Sequence, residues 1–192
     1  GLAAEAGPAP GFGRASAVIP EPPDILRCQG VFMSGLLGRR GFVLGLGALG
    51  LAPGALAQEQ AAFALKVAAG AELRAMKAEV YDPAYVVLTY PMGDVADDRG
   101  VCTDTVIRAF RHAGVDLQVK VHEDMVANFG VYPKMWGLKK PDRNIDHRRV
   151  PNLETYFRRK GGAKTLSTVA ADYRAGDIVS WRLTGGGLPH IG

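Results

Sequence analysis

Cysteine is nearly absent from this chain: there are two in 192 residues, Cys28 and Cys102. So few thiols exclude a disulfide-stapled scaffold, and Thr105 three positions after Cys102 excludes a Cys-x-x-Cys redox centre. Histidine is equally sparse, with four residues. The clusters His122-Glu123-Asp124 and Asp146-His147 lack the helical spacing or cysteine partners of a zinc site, so no metal and no cofactor is expected. The acidic run Asp94, Asp97, Asp98 does not follow the spacing of a calcium loop. No apolar run approaches the roughly 20 residues a membrane span requires. The charge excess is small, +4 from 23 basic and 19 acidic residues, which argues against dedicated nucleic-acid binding. There is no internal repeat.

What is present falls into three parts. Residues 1–32 are rich in Ala, Gly and Pro with no sustained apolar period, and read as an upstream segment that is translated from too early a start and does not fold. Residues 33–57 read as an export signal. Arg39-Arg40 precede a short, glycine-interrupted apolar run over 42–51, Pro53 ends it, and Ala55-Leu56-Ala57 supplies a small-x-small cleavage site before Gln58. The string Arg39-Arg40-Gly41-Phe42-Val43 follows the twin-arginine pattern, with an ordinary secretory signal as the alternative. Residues 58–192 are one domain by length, expected outside the cytoplasm, in the periplasm or beyond, as a monomer with no membrane span once the signal is removed.

The domain is organised around Arg99-Gly100-Val101-Cys102-Thr103-Asp104. A polar loop delivers Cys102 to the first turn of a helix whose apolar face carries Val106, Phe110 and Ala113, and Gly114 marks its end. A thiol there feels the positive end of the helix dipole, which favours thiolate, while Asp104 opposes it. The pattern fits a nucleophile, and it also fits a buried core thiol on the same stripe as Val106 and Phe110. Export favours the nucleophile, since a single cysteine left in an oxidising compartment has no partner to pair with.

Elsewhere, residues 60–79 read as a helix with Gly70 as a weak point, and 85–88 as a short extended stretch. Residues 121–151 read as one long ordered loop, in which Tyr132 and Trp136 offer a substrate platform and Lys139, Lys140, Arg143, Arg148 and Arg149 a solvated basic face. A short helix follows at 152–157, closed by Gly161-Gly162. The clearest strand is Ile178-Val179-Ser180-Trp181-Arg182-Leu183, followed by a glycine turn and the start of a hairpin partner at His190-Ile191-Gly192. The C-terminal strands of the sheet are expected to be truncated there.

The order of a cysteine on a helix, a Gly-Asp-Ile-Val-x-Trp strand, a turn and His-Ile-Gly is similar to the papain-like cysteine hydrolases of the NlpC type. More closely, Tyr81-Asp82-Pro83-Ala84-Tyr85, Asp98 to Asp104, His122-Glu123-Asp124-Met125, Asn144 to Leu153 and Gly176 to Trp181 resemble the bacterial family DUF1287. The resemblance implies an α+β fold, with the cysteine at the N-terminus of a helix packed on an antiparallel sheet. It further implies Cys102 as nucleophile, His190 as general base, and Tyr90, twelve positions upstream of the cysteine, at the oxyanion site. The reaction it implies is cleavage of an amide bond, with peptidoglycan peptides as substrate. Two alternatives of other classes stand beside it: a non-catalytic wall-binding module using the Tyr132–Trp136 loop, and a thiol acyl-transfer or redox protein.

Overall fold

The computed structural model describes residues 26–28, 53–77, 80–184 and 187–192. The export signal expected at 33–57 lies outside the described residues up to position 52. From Pro53 a single helix, α1, runs to Ala75, so Pro53 opens a helix at the position where its missing N–H is tolerated. Two short strands, β2 (Val80–Tyr81) and β3 (Arg99–Gly100), pair in parallel and bring Tyr81 beside Gly100. Helix α2 (Cys102–His112) follows at once.

Helix α2 ends as its glycine requires. Gly114 takes φ +88°, its N–H donates to the carbonyl of Arg111 at 2.9 Å, and Val115 donates to Phe110 at 2.9 Å. Helix α1 crosses α2 closely at Gly70, where a Cβ would lie 2.8 Å from the Cβ of His112 and 2.9 Å from the Cα of Ala109. The glycine that weakens α1 in isolation therefore lets the two backbones approach.

The expectation of one long loop over 121–151 is corrected. Helix α3 (Leu117–Asn128) occupies its first part, with Asp116 as N-cap accepting from the Gln118 N–H at 3.0 Å. The apolar residues Leu117, Val121 and Met125, four apart, form its buried face. Only the stretch between Asn128 and α4 is irregular, stiffened by three single 3-10 turns. Helix α4 (Val150–Arg159) begins with Pro151 in its first turn.

The main sheet is antiparallel, in the order β4 (Ala163–Lys164), β1 (Leu26–Cys28), β5 (Ile178–Arg182), β6 (Pro189–Ile191). The hairpin of β5 with β6 forms as the sequence predicts. Strand β5 has a second neighbour in Leu26–Cys28, which comes from the segment read as one that does not fold. Ile178 and Ile191 project from the sheet into a core with Val106 and Phe110 of α2 and Leu153 and Phe157 of α4. The architecture is α+β, with α2 packed against an antiparallel sheet. Among the described residues, no helix is long and apolar enough to cross a membrane.

Candidate functional site around Cys102

The first turn of α2 is held from both sides. Val101, the extended N-cap residue, donates its N–H to Asp104 Oδ2 at 2.7 Å, so the acid satisfies an otherwise unpaired donor. The buried hydroxyl of Thr103 donates to the carbonyl of Arg148 at 3.0 Å. Cys102 lies between them, part-exposed and free.

Its sulfur faces the outer edge of β6. Val179 and Gly192 exchange two backbone hydrogen bonds, at 2.8 and 3.0 Å, so the next pair, Ser180 and Ile191, is one whose N–H and C=O groups point outward. The backbone of Ile191 hydrogen-bonds the thiol in this way, as does that of Thr103. Burial pushes the thiol above its ordinary value, these backbone bonds oppose the rise, and the Asp104 charge adds to it. Desolvation of the thiolate therefore outweighs what the N-terminus of the helix offers it.

Cys102 opens onto a cavity of about 390 Å³ walled by Tyr81, Tyr85, Trp136, Pro151 and Pro189. Tyr85 is fixed by its hydroxyl, which donates to Asp142 Oδ2 at 3.0 Å and accepts from Asn144 Nδ2 at 2.8 Å. Trp136 is 59% exposed, adopts the left-handed φ of +56°, and has the Arg149 guanidinium 4.8 Å from its ring centroid. A bulky residue at positive φ is strained, and its ring is held out over the cavity.

Of the residues expected at the site, the structure brings Cys102 and Trp136 to one cavity. His190 stands between two residues at the site, Pro189, which lines the cavity, and Ile191, whose backbone bonds the thiol, and its ring packs on Trp181 with centroids 4.7 Å apart. Tyr90 lies elsewhere, edge-on to His122 at 5.6 Å and under the Arg143 guanidinium. The tyrosines that wall the cavity are Tyr81 and Tyr85. Tyr132 is corrected as a platform, because it is 2% exposed and its hydroxyl donates to Asp124 at 2.7 Å. Its ring belongs to the core cluster that holds Met125 and Tyr156.

Arg148 is likewise not part of a solvated face. It is 6% exposed and pairs with the buried Asp104. Next to it, burial pushes the Asp146 carboxyl up to about 6 and the His147 imidazole down to about 4. The signal that could have identified these residues is the density of polar side chains in Asn144 to Asn152, next to the Tyr81–Tyr85 motif whose carbonyls Arg148 reaches. Among the described residues there is no group of three or more His, Cys, Asp or Glu side chains able to hold a metal ion.

Comparison with known proteins gives two findings. The family described as "Domain of unknown function (DUF1287)" matches residues 68–192. "Uncharacterized protein YijF" of Escherichia coli (strain K12) is 57% identical over 140 residues, which is 73% of this chain and 68% of that protein. No solved structure matches.

Proposed function

The chain belongs to the DUF1287 family, and from that membership together with the surroundings of Cys102 we propose an exported cysteine hydrolase of the papain-like, NlpC type. It acts in the periplasm or beyond, and cuts an amide bond in peptidoglycan peptides. The observation that carries this reading is a part-exposed cysteine at the N-terminus of α2, opening onto an aromatic cavity with backbone N–H groups facing its sulfur.

In the proposed reaction His190 takes the Cys102 proton as the sulfur attacks the amide carbon. The backbone donors at Thr103 and Ile191 stabilise the negative oxygen that forms. The C–N bond then breaks, the amine leaves with the proton from His190, and a thioester remains on Cys102. Water attacks the thioester, gives a proton to His190, and releases the acid with return of the thiol.

Because burial disfavours the thiolate, ionisation near neutral pH depends on a base. In the full chain, alkylation of Cys102 by iodoacetamide at pH 7 is expected to fall at least about tenfold in His190→Ala. A rate indifferent to His190 would make Cys102 a packed thiol and overturn the assignment.

A second reading, a non-catalytic wall-binding module, is favoured by one observation. His190 is engaged with Trp181 while Trp136 stands exposed over the cavity. This module would bind peptidoglycan without releasing amines from it.

A further inference from the structure

Beside the Cys102 cavity lies a second one of about 600 Å³, and Tyr85 and Trp136 line both. The two cavities form one groove with an aromatic middle. Its far end carries Lys139, Lys140 and Arg143, all exposed and without an ion pair among the described residues. The acid in that lining, Asp142, is already committed, accepting from the Tyr85 hydroxyl at 3.0 Å and from the Asn144 N–H at 2.9 Å. Two buried donor or acceptor atoms along the groove also lack partners: His122 Nδ1 at the far end and Arg149 Nη1 beside Trp136.

We infer that this groove holds an extended acidic peptide, with a carboxylate on Lys139, Lys140 and Arg143, the chain across Tyr85 and Trp136, and the scissile amide at Cys102. The inference rests on the hydrolase reading for the role of Cys102 alone. Unpaired cations gathered at one end select a discrete negative group, and aromatic faces in the middle suit an uncharged stretch of chain. A polyphosphate would instead need cations along its whole length. Of the two cations lining the Cys102 cavity, Arg148 is already paired with Asp104, and Arg149 lies over the Trp136 ring.

The test uses the full chain carrying Cys102→Ala, so that bound peptide is not cut. Two fluorescein-labelled peptides are compared by anisotropy, one alternating alanine with glutamate, the other alanine with glutamine. The glutamate peptide is expected to bind at least about tenfold more tightly at low salt, with the preference fading as salt is raised. Adding Lys139→Glu and Lys140→Glu together should abolish that preference, whereas Trp136→Ala should weaken both peptides alike. These side chains are exposed, so the variants are expected to fold. Equal binding of the two peptides, or a preference that survives the charge reversal, would overturn the inference. Inorganic tripolyphosphate displacing the peptide at concentrations below those of unlabelled glutamate peptide would also overturn it, in favour of a phosphate ligand. Failure of the hydrolase reading is read separately: a wild-type chain that cuts no amide, with glutamate preference intact, leaves the groove assignment standing.

Discussion

Arg148 meets Asp104 through two parallel hydrogen bonds, Nε to Oδ1 and Nη2 to Oδ2, each 2.9 Å long and both buried. The same guanidinium donates to the carbonyls of Ala84 at 3.1 Å and Asp82 at 3.4 Å. One side chain thus fixes the first turn of α2, which carries Cys102, against the segment that supplies Tyr81 and Tyr85 to the cavity wall. Removing it in Arg148→Ala leaves Asp104 buried without its partner, at a cost of about 3–5 kcal/mol. Denaturant unfolding should show that loss, and Asp104→Leu combined with Arg148→Met should recover only part of it, because the Val101 N–H and the carbonyls of Ala84 and Asp82 also lose their partners.

Asp146 and His147 should make opposite contributions to stability across pH 4–6. Burial raises the Asp146 carboxyl to about 6, so its contribution is full below the unfolded value of about 3.9 and is lost as pH rises through 6. Burial lowers the His147 imidazole to about 4, so its contribution is full above the unfolded value of about 6.5 and is lost as pH falls through 4. The pair should nearly cancel between these limits. In Asp146→Asn, unfolding free energy should rise with pH over that window by up to about 1 kcal/mol per unit. A slope in the variant no steeper than in the wild type would contradict the assignment.

Asp124 gathers Tyr132, Arg159 and Lys160 at 2.7 Å each. Burial works to raise its carboxyl, and these three bonds outweigh it and bring it down to about 2. Tyr132→Phe removes a buried hydrogen bond to a charged group and should cost about 1.5–3 kcal/mol by chemical denaturation. Because Tyr132 lies in the core and away from the cavity, peptide binding should be unchanged.

Gly70→Ala is expected to destabilise the fold, although alanine is the better helix former. The added methyl would meet Ala109 backbone and the His112 Cβ at 3.0 Å or less. Overpacking of this kind costs about 1–3 kcal/mol, more than the roughly 1 kcal/mol that propensity returns. A raised melting temperature would show that α1 and α2 do not cross there.

These cases also show where local pattern was a sufficient guide. The ends of α2, the β5–β6 hairpin and the helix after Pro151 were legible because capping, period and turn chemistry are local. Gly70 was legible as a weak point and opaque as a crossing, since the close approach depends on α2. Helix α3 was hidden by its charged surface: Leu117, Val121 and Met125 form a thin stripe among Lys120, His122, Glu123 and Asp124. Arg148 and Tyr132 looked like surface groups because the partners that bury them, Asp104 and Asp124, lie 44 and 8 residues away. Strand β1 could not be anticipated from Leu26-Arg27-Cys28, which carries no strand pattern of its own.

Release of amino groups from purified peptidoglycan tests the proposed activity most directly. The full chain, incubated with sacculi and assayed for new primary amines, should release them steadily, and Cys102→Ala should reduce the rate by about a thousandfold or more. Release that is equal in Cys102→Ala, or no release by the wild-type chain while it still binds the sacculi, would contradict a cysteine hydrolase acting on the cell wall.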